Sequence, residues 1–193
     1  MAQSRNLPVV GFASSVEWEA WLAENHGTSQ GLWLKIGKQG ADEPSVTYDE
    51  ALDIALCYGW IDGQKDSFDG GYWLQRLTPR RPGSKWSQRN CVKATALIAQ
   101  GRMQPAGLRE MEAAKADGRW DQAYAGSSTA TVPEDLQRAL DANPAARDFF
   151  DALDRQNRYA ILYRVQDAKK PETRARRIAT FVAMLAEGKK LHS

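Results

Sequence analysis

The 193-residue sequence predicts an α+β fold: a small antiparallel sheet with helices in an N-terminal part, and a helical C-terminal part. Three observations carry this. Apolar residues alternate over Gly31–Lys38, a turn-centred hairpin pattern follows Trp60, and from Ser84 onward every apolar pattern has helical spacing. The expected layout is an α+β domain over 1–124, a small, polar linker over 125–131 and a helical domain over 132–193.

Each element follows from local chemistry. Ser14-Ser15-Val16-Glu17 is a capping-box sequence, so a helix is expected from Ser14, with Trp18, Trp21 and Leu22 on one face and Gly27 as a left-handed stop. In the next segment Leu32, Leu34 and Ile36 share one face of a strand, while Trp33 and Lys35 share the other. Thr47-Tyr48-Asp49-Glu50 repeats the capping box and opens a helix ending at Gly59. Ile61–Phe68 and Tyr72–Leu77 flank Asp69-Gly70-Gly71, residues suited to a hairpin turn. The prolines of Thr78-Pro79-Arg80-Arg81-Pro82-Gly83 forbid a helix there. Ser84 is then expected to cap a helix ending at Gly101, and Pro105 and Gly118 bracket the next. Pro133, Pro144 and Pro171 mark further helix starts, and Ile178, Phe181, Val182 and Leu185 form a core-facing stripe.

Composition excludes several classes of function. The chain is 42% hydrophobic and 26% charged, as expected of a globular protein with a real core, and no run of 18 apolar residues exists to span a membrane. Cys57 and Cys91 form no CxxC, so neither a disulfide framework nor zinc is expected, and no metal or cofactor is. Met1–Gly11 lacks the apolar segment of a signal peptide, which makes cytoplasmic residence the expectation.

The net charge of +2 hides a pattern. Residues 1–70 balance at −7, 71–104 at +7 with no carboxylate at all, 105–157 at −4 and 158–193 at +6. Such blocks either pair with one another across the fold or form a cationic surface for an anionic ligand. The acidic stretches argue against a broad nucleic-acid footprint.

The residues best suited to a site run from the Trp60–Asp62 turn to Ser87. Arg76, Arg80 and Arg81 offer forked donors for a phosphate or carboxylate, and Ser84 and Ser87 offer hydroxyls near a helix start. Trp60, Trp73 and Trp86 would bring flat apolar surface, and Asp62 would orient a ligand or hold Arg76. The plain alternative is that the tryptophans are core, the loop arginines are solvated and Asp62 stabilises a turn. At about 100° per residue, Arg174 falls on the face of Ile178, Phe181 and Leu185, where it needs a carboxylate partner or a bound anion. No Walker loop, GxGxxG or catalytic triad is present, so no catalytic residue is assigned.

Several strings resemble the YdeI/OmpD-associated family of bacterial proteins, also called bacteriocin-protection proteins. They are Trp33-Leu34 with Lys38, Ala55–Gly63, Thr78-Pro79-Arg80 with Ser84-Lys85-Trp86-Ser87, Gly101-Arg102-Met103, Ala114–Trp120 and Glu172–Ile178. The likeness extends over nearly the whole chain, and the family treats the C-terminal segment as its own domain. It implies protection from cationic antimicrobial peptides or bacteriocins and association with an outer-membrane porin. Meeting a porin directly would require export, so either any porin association is indirect or the family name describes a phenotype of relatives only. Three functions are consistent with these readings: a stress-resistance protein binding a small anionic or nucleotide-like ligand, a protein-interaction module using the helical C-terminal part, and an enzyme on nucleotide or nucleic-acid substrates.

Overall fold

A computed structural model describes residues 7–192. Residues 1–6, where the sequence stretch read for a signal peptide begins, lie outside the described residues. The chain divides into two compact units, Met1–Ala123 and Tyr124–Ser193, each with its own core.

The first unit is built on a four-stranded sheet of order β1-β2-β4-β3: β1 (Val9–Gly11), β2 (Leu32–Gly37), β4 (Tyr72–Pro79) and β3 (Trp60–Ser67). The β2–β4 and β3–β4 pairs are antiparallel, as the hairpin pattern requires. The short β1 runs parallel to β2, which makes the sheet mixed. Its three residues are too few for an alternation to stand out in the sequence.

Helix α1 (Ser15–Asn25) starts as the capping box predicts: Ser14 Oγ accepts from Glu17 N at 3.3 Å. The Glu17 carboxylate reaches one residue further back, to Ala13 N at 2.9 Å. Gly27 is not the left-handed stop; Gly31, with φ +122°, supplies the positive φ before β2. Helix α2 (Tyr48–Cys57) has the complete box, Glu50 N to Thr47 Oγ1 at 3.3 Å and Thr47 N to Glu50 Oε2 at 3.0 Å, and stops at Gly59 with φ +75°. Both helices pack on the face carrying Leu32, Leu34, Ile36 and Leu77, with Trp18, Leu22, Ala55 and Trp60 filling the space.

Helix α3 (Gln88–Ala99) begins later than expected and is capped by Ser87, not Ser84. Ser84 is held in a turn instead, its Oγ accepting from Arg81 N at 2.9 Å. Helix α4 (Pro105–Ala116) has its proline at the first position, and Gly118 follows it with φ +77°. Its Gly107 is buried where α4 crosses the end of α2: a Cβ there would lie 2.3 Å from Cys57 O and 2.6 Å from Leu56 O.

The second unit is helical: α5 (Glu134–Asp141), α6 (Pro144–Asp151), α7 (Arg155–Gln166) and α8 (Pro171–Ala186). Pro144 and Pro171 occupy first-turn positions, whereas Pro133 stands just before α5. The small, polar stretch is hydrogen-bonded into this unit. Tyr159 Oη donates to Ala125 O at 3.0 Å, Ala130 N donates to Gly126 O at 2.9 Å, and Ala130 and Val132 pack on the core.

Arg174 ties three helices together. Its Nε and Nη2 donate to the two Asp135 oxygens, and its Nη1 to Val165 O at 2.9 Å. The bidentate hydrogen bonding holds the Asp135 carboxyl below its usual range.

Two outcomes test this packing. Gly107→Ala forces α4 away from α2 and should cost about 2–3 kcal/mol, read as a lowered urea midpoint; an unchanged midpoint would refute the close crossing. Asp135, with its lowered folded pKa, stabilises the fold above the unfolded carboxyl value and loses that contribution as pH falls through the folded value. Below about pH 4, wild type should therefore lose more stability than Asp135→Asn, measured by thermal melts from pH 6 to 2.5.

Candidate functional site

Strand β4 is central, and its two faces have different roles. Leu32 pairs with Leu77, Leu34 with Gln75 and Ile36 with Trp73, all on the face that meets α1 and α2. The residues between them, Trp33 opposite Arg76 and Lys35 opposite Leu74, therefore share the outer face.

Two of the residues singled out in the sequence, Trp60 and Asp62, lie on the inner side. Trp60 is buried in an aromatic cluster, its ring centroid 5.9 Å from that of Trp21 and 6.3 Å from that of Trp18, and its Nε1 donates to His26 O at 3.1 Å. Asp62 pairs with Leu77 and so faces α2, where its Oδ2 accepts from Tyr48 Oη at 2.7 Å. Burial, then that hydrogen bond, pushes the Tyr48 hydroxyl well above its ordinary range. Asp62 consequently does not hold Arg76. The two lie on opposite faces because Arg76 is one residue from Leu77.

The loop after β4 does not present its arginines together. Arg80 is only 6% exposed; its guanidinium carbon sits 3.6 Å from the Trp86 ring centroid and its Nη1 donates to Lys85 O at 3.2 Å. Trp86 is 1% exposed, packed on Trp120 at 5.0 Å. Arg81 is exposed, with its backbone in the Ser84 turn. Arg119 Nη1 donates to Ser84 O at 2.6 Å, tying the turn to the segment after α4. Ser87 Oγ accepts from Asn90 N at 3.1 Å, so the start of α3 is closed by its own cap. Arg174 belongs to the second unit and carries the Asp135 pair described above. Within the first unit, Trp60, Asp62, Arg76 and the Arg80–Trp86 pair thus stand in separate surroundings.

Arg76 differs from the others. It is partly exposed on the outer face, and among the described residues no carboxylate or carbonyl accepts from its guanidinium. Its Nε is buried without a partner. The guanidinium leans over Gly63: a Cβ at that residue would lie 2.9 Å from Nε and 3.2 Å from Nη2. Gly63 sits in a register shift between Asp62 and Lys65, and the buried Gln75 amide holds that irregularity from the inner side, donating to Gly63 O at 3.0 Å and Gln64 O at 3.3 Å.

Two residues here escape sequence reading: Gln75, a buried amide in a strand otherwise apolar on that face, and Trp33, whose place beside Arg76 depends on register. Further along the outer face, Lys35 Nζ lies 3.8 Å from the Tyr72 ring centroid. The second unit has a separate feature, a groove of about 670 Å³ between α5 and α8, lined by Ala139, Ala175, Ile178, Ala179, Val182 and Ala183, with Asp135 and Arg174 along it. Among the described residues no cluster of His, Cys, Asp and Glu is arranged to hold a metal ion, and no helix is long and apolar enough to cross a membrane. Burial pushes the Cys57 thiol up to about 11, away from the reactive range.

Comparison with known proteins yields two family matches, to residues 10–110 and residues 129–188. No curated protein and no solved structure matches the chain. The strings from Trp33 to Met103 fall inside the first match, and Glu172–Ile178 inside the second. Residues 129–188 match the model of the family described as Bacteriocin-protection, YdeI or OmpD-Associated, and through residues 10–110 the chain belongs to the family described as Domain of unknown function (DUF8412).

Proposed function

We propose that this chain is a cytoplasmic stress-resistance protein of the bacteriocin-protection type that acts by binding a small anionic ligand on the outer face of its N-terminal sheet. The observation that carries this reading is Arg76, a guanidinium with no acceptor among the described residues and with its Nε already desolvated. A partly desolvated cation without a counter-charge gains more from an oxyanion than a solvated one does, because the forked Nη edge meets the anion where water screens less. Arg80 and Trp86 are assigned to the scaffold in this reading, since a ligand would have to displace their mutual packing.

A second reading is a protein-interaction module working through the C-terminal unit. It is favoured by the α5–α8 groove, whose alanine walls permit close approach of an amphipathic helix bearing bulky apolar residues. Filling the groove by Ala179→Trp should abolish partner binding while leaving the circular dichroism spectrum unchanged; binding that survives would refute this reading.

The anion reading is tested by thermal shift with inorganic phosphate. At ten times its Kd, phosphate should stabilise wild type by about 1.4 kcal/mol. Arg76→Gln should lose that stabilisation and keep the apo melting temperature. Arg80→Ala should instead lower the apo melting temperature by an amount equivalent to about 2 kcal/mol and keep the phosphate response. A phosphate response unaffected by Arg76→Gln would sink the proposal.

A further inference from the structure

We infer that the N-terminal unit carries a second ligand site, separate from Arg76, that takes a free basic amino acid. It is the cavity between the end of β1, the start of α1 and residues 43–45.

The cavity has a volume of about 400 Å³, within the range of small-molecule sites. Three of the side chains lining it are charged: Lys35, Glu17 and Glu43. Among the described residues none of the three is ion-paired. Lys35 shares the cavity with both carboxylates, yet its Nζ rests on aromatic faces, 3.8 Å from the Tyr72 ring centroid and 5.5 Å from that of Phe68. Opposite charges that line one cavity without meeting leave room between them for a molecule that carries both signs.

The walls are fixed by the protein's own hydrogen bonds. Tyr72 Oη donates to Glu43 O at 3.2 Å and accepts from Glu43 N at 3.2 Å. One tyrosine thus seats the ammonium and holds the glutamate backbone. Behind it, Ser45 Oγ accepts from Gly37 N at 2.8 Å, and Val46 N donates to Phe12 O at 3.0 Å, so the loop is joined to β2 and to the residue after β1. Glu17 Oε2 accepts from Ala13 N at 2.9 Å, which keeps that carboxylate at the start of α1. A site ordered in advance loses less on binding.

Charge then selects the ligand. The lining carries two carboxylates and one ammonium. A basic amino acid brings two cations and one carboxylate, so each of its charges meets one of opposite sign. A neutral amino acid leaves one glutamate unmet, and an acidic one adds a repulsion. Phe12 supplies apolar surface for the methylene chain. Gly11 also lines the cavity and leaves it open: a Cβ there would lie 3.7 Å from Lys35 Cβ and 3.8 Å from its Cδ, in ordinary contact.

The test is calorimetry on the full chain with L-lysine, with L-norleucine, which lacks the terminal ammonium, and with cadaverine, which lacks the carboxylate. L-lysine should bind about tenfold more tightly than either, the gain of one charge-assisted contact. Lys35→Met should erase the preference over cadaverine. Glu17→Gln and Glu43→Gln should each weaken L-lysine; a glutamine amide oxygen still accepts from Ala13 N, and Glu43 is held through its backbone, so neither change removes a fold contact. Gly11→Leu should exclude all three ligands without altering a charge. Arg76 does not line this cavity, so Arg76→Gln should leave L-lysine binding unchanged. Equal affinity of wild type for L-lysine and either analogue, a comparison that needs no variant, overturns the inference. So does the absence of L-lysine binding at millimolar concentration, or a preference over cadaverine that survives Lys35→Met. None of these outcomes bears on the phosphate response assigned to Arg76.

Discussion

The hydrogen-bond ladder that β4 makes with β2 on one side and β3 on the other decides what the N-terminal unit can present. A strand paired on both edges cannot slip by one residue without turning Leu77 and Leu32 out to water and Arg76 and Trp33 into the core. Burying an unpaired guanidinium among Trp18, Leu22 and Ala55 would be far worse than any gain from the slip. The register is therefore set by the contrast between the two faces, and the contents of each face follow from it. Trp60 and Asp62 enter the helix-covered side, where the indole joins an aromatic cluster and the carboxylate meets Tyr48. Arg76 is left outside.

The same logic separates the arginines of the basic stretch. Arg80 leaves the end of β4 toward the core and lays its guanidinium on Trp86, so its charge is accommodated by a π face and a backbone carbonyl. Arg89 reaches Asp49 on α2, and Lys93 reaches Asp53, one turn further along the same helix. Part of the positive block between residues 71 and 104 thus meets the preceding acidic block, as one of the two readings of the charge pattern requires. Arg174 follows the same rule in the second unit, where Asp135 neutralises it.

The parts of the fold legible in the sequence were those fixed by neighbours a few residues apart. The Ser14 cap, the full Thr47–Glu50 capping box, the Asp69-Gly70-Gly71 hairpin, the proline-led starts of α4, α6 and α8 and the stripe of α8 are local, and each formed. Ser84 misled because a serine before a helix can cap it or close a turn with equal ease, and only the fold selects Ser87. The sites of greatest interest were not legible for a different reason. That Trp33 faces away from Leu32 and Leu34 is visible in the alternation, and so is the outward position of Arg76 on its own strand. That the two stand opposite each other depends on pairing across about forty residues, and the shift at Gly63 depends on a buried amide from β4. Neither leaves a local trace.

The irregularity between Asp62 and Lys65 bears on more than the seating of a guanidinium. β3 forms the edge of the sheet, with residues 63–67 exposed to solvent. A straight, apolar edge would offer its unsatisfied amides and carbonyls to any other strand it met, including the same strand of a second molecule. Here two carbonyls at the irregularity are turned inward to the Gln75 amide, the run carries Lys65 and Asp66, and the spacing of the outward groups is broken. The edge is thereby a poor template for cross-β growth, so the irregularity that seats the Arg76 guanidinium also helps keep neighbouring molecules apart in a crowded cell.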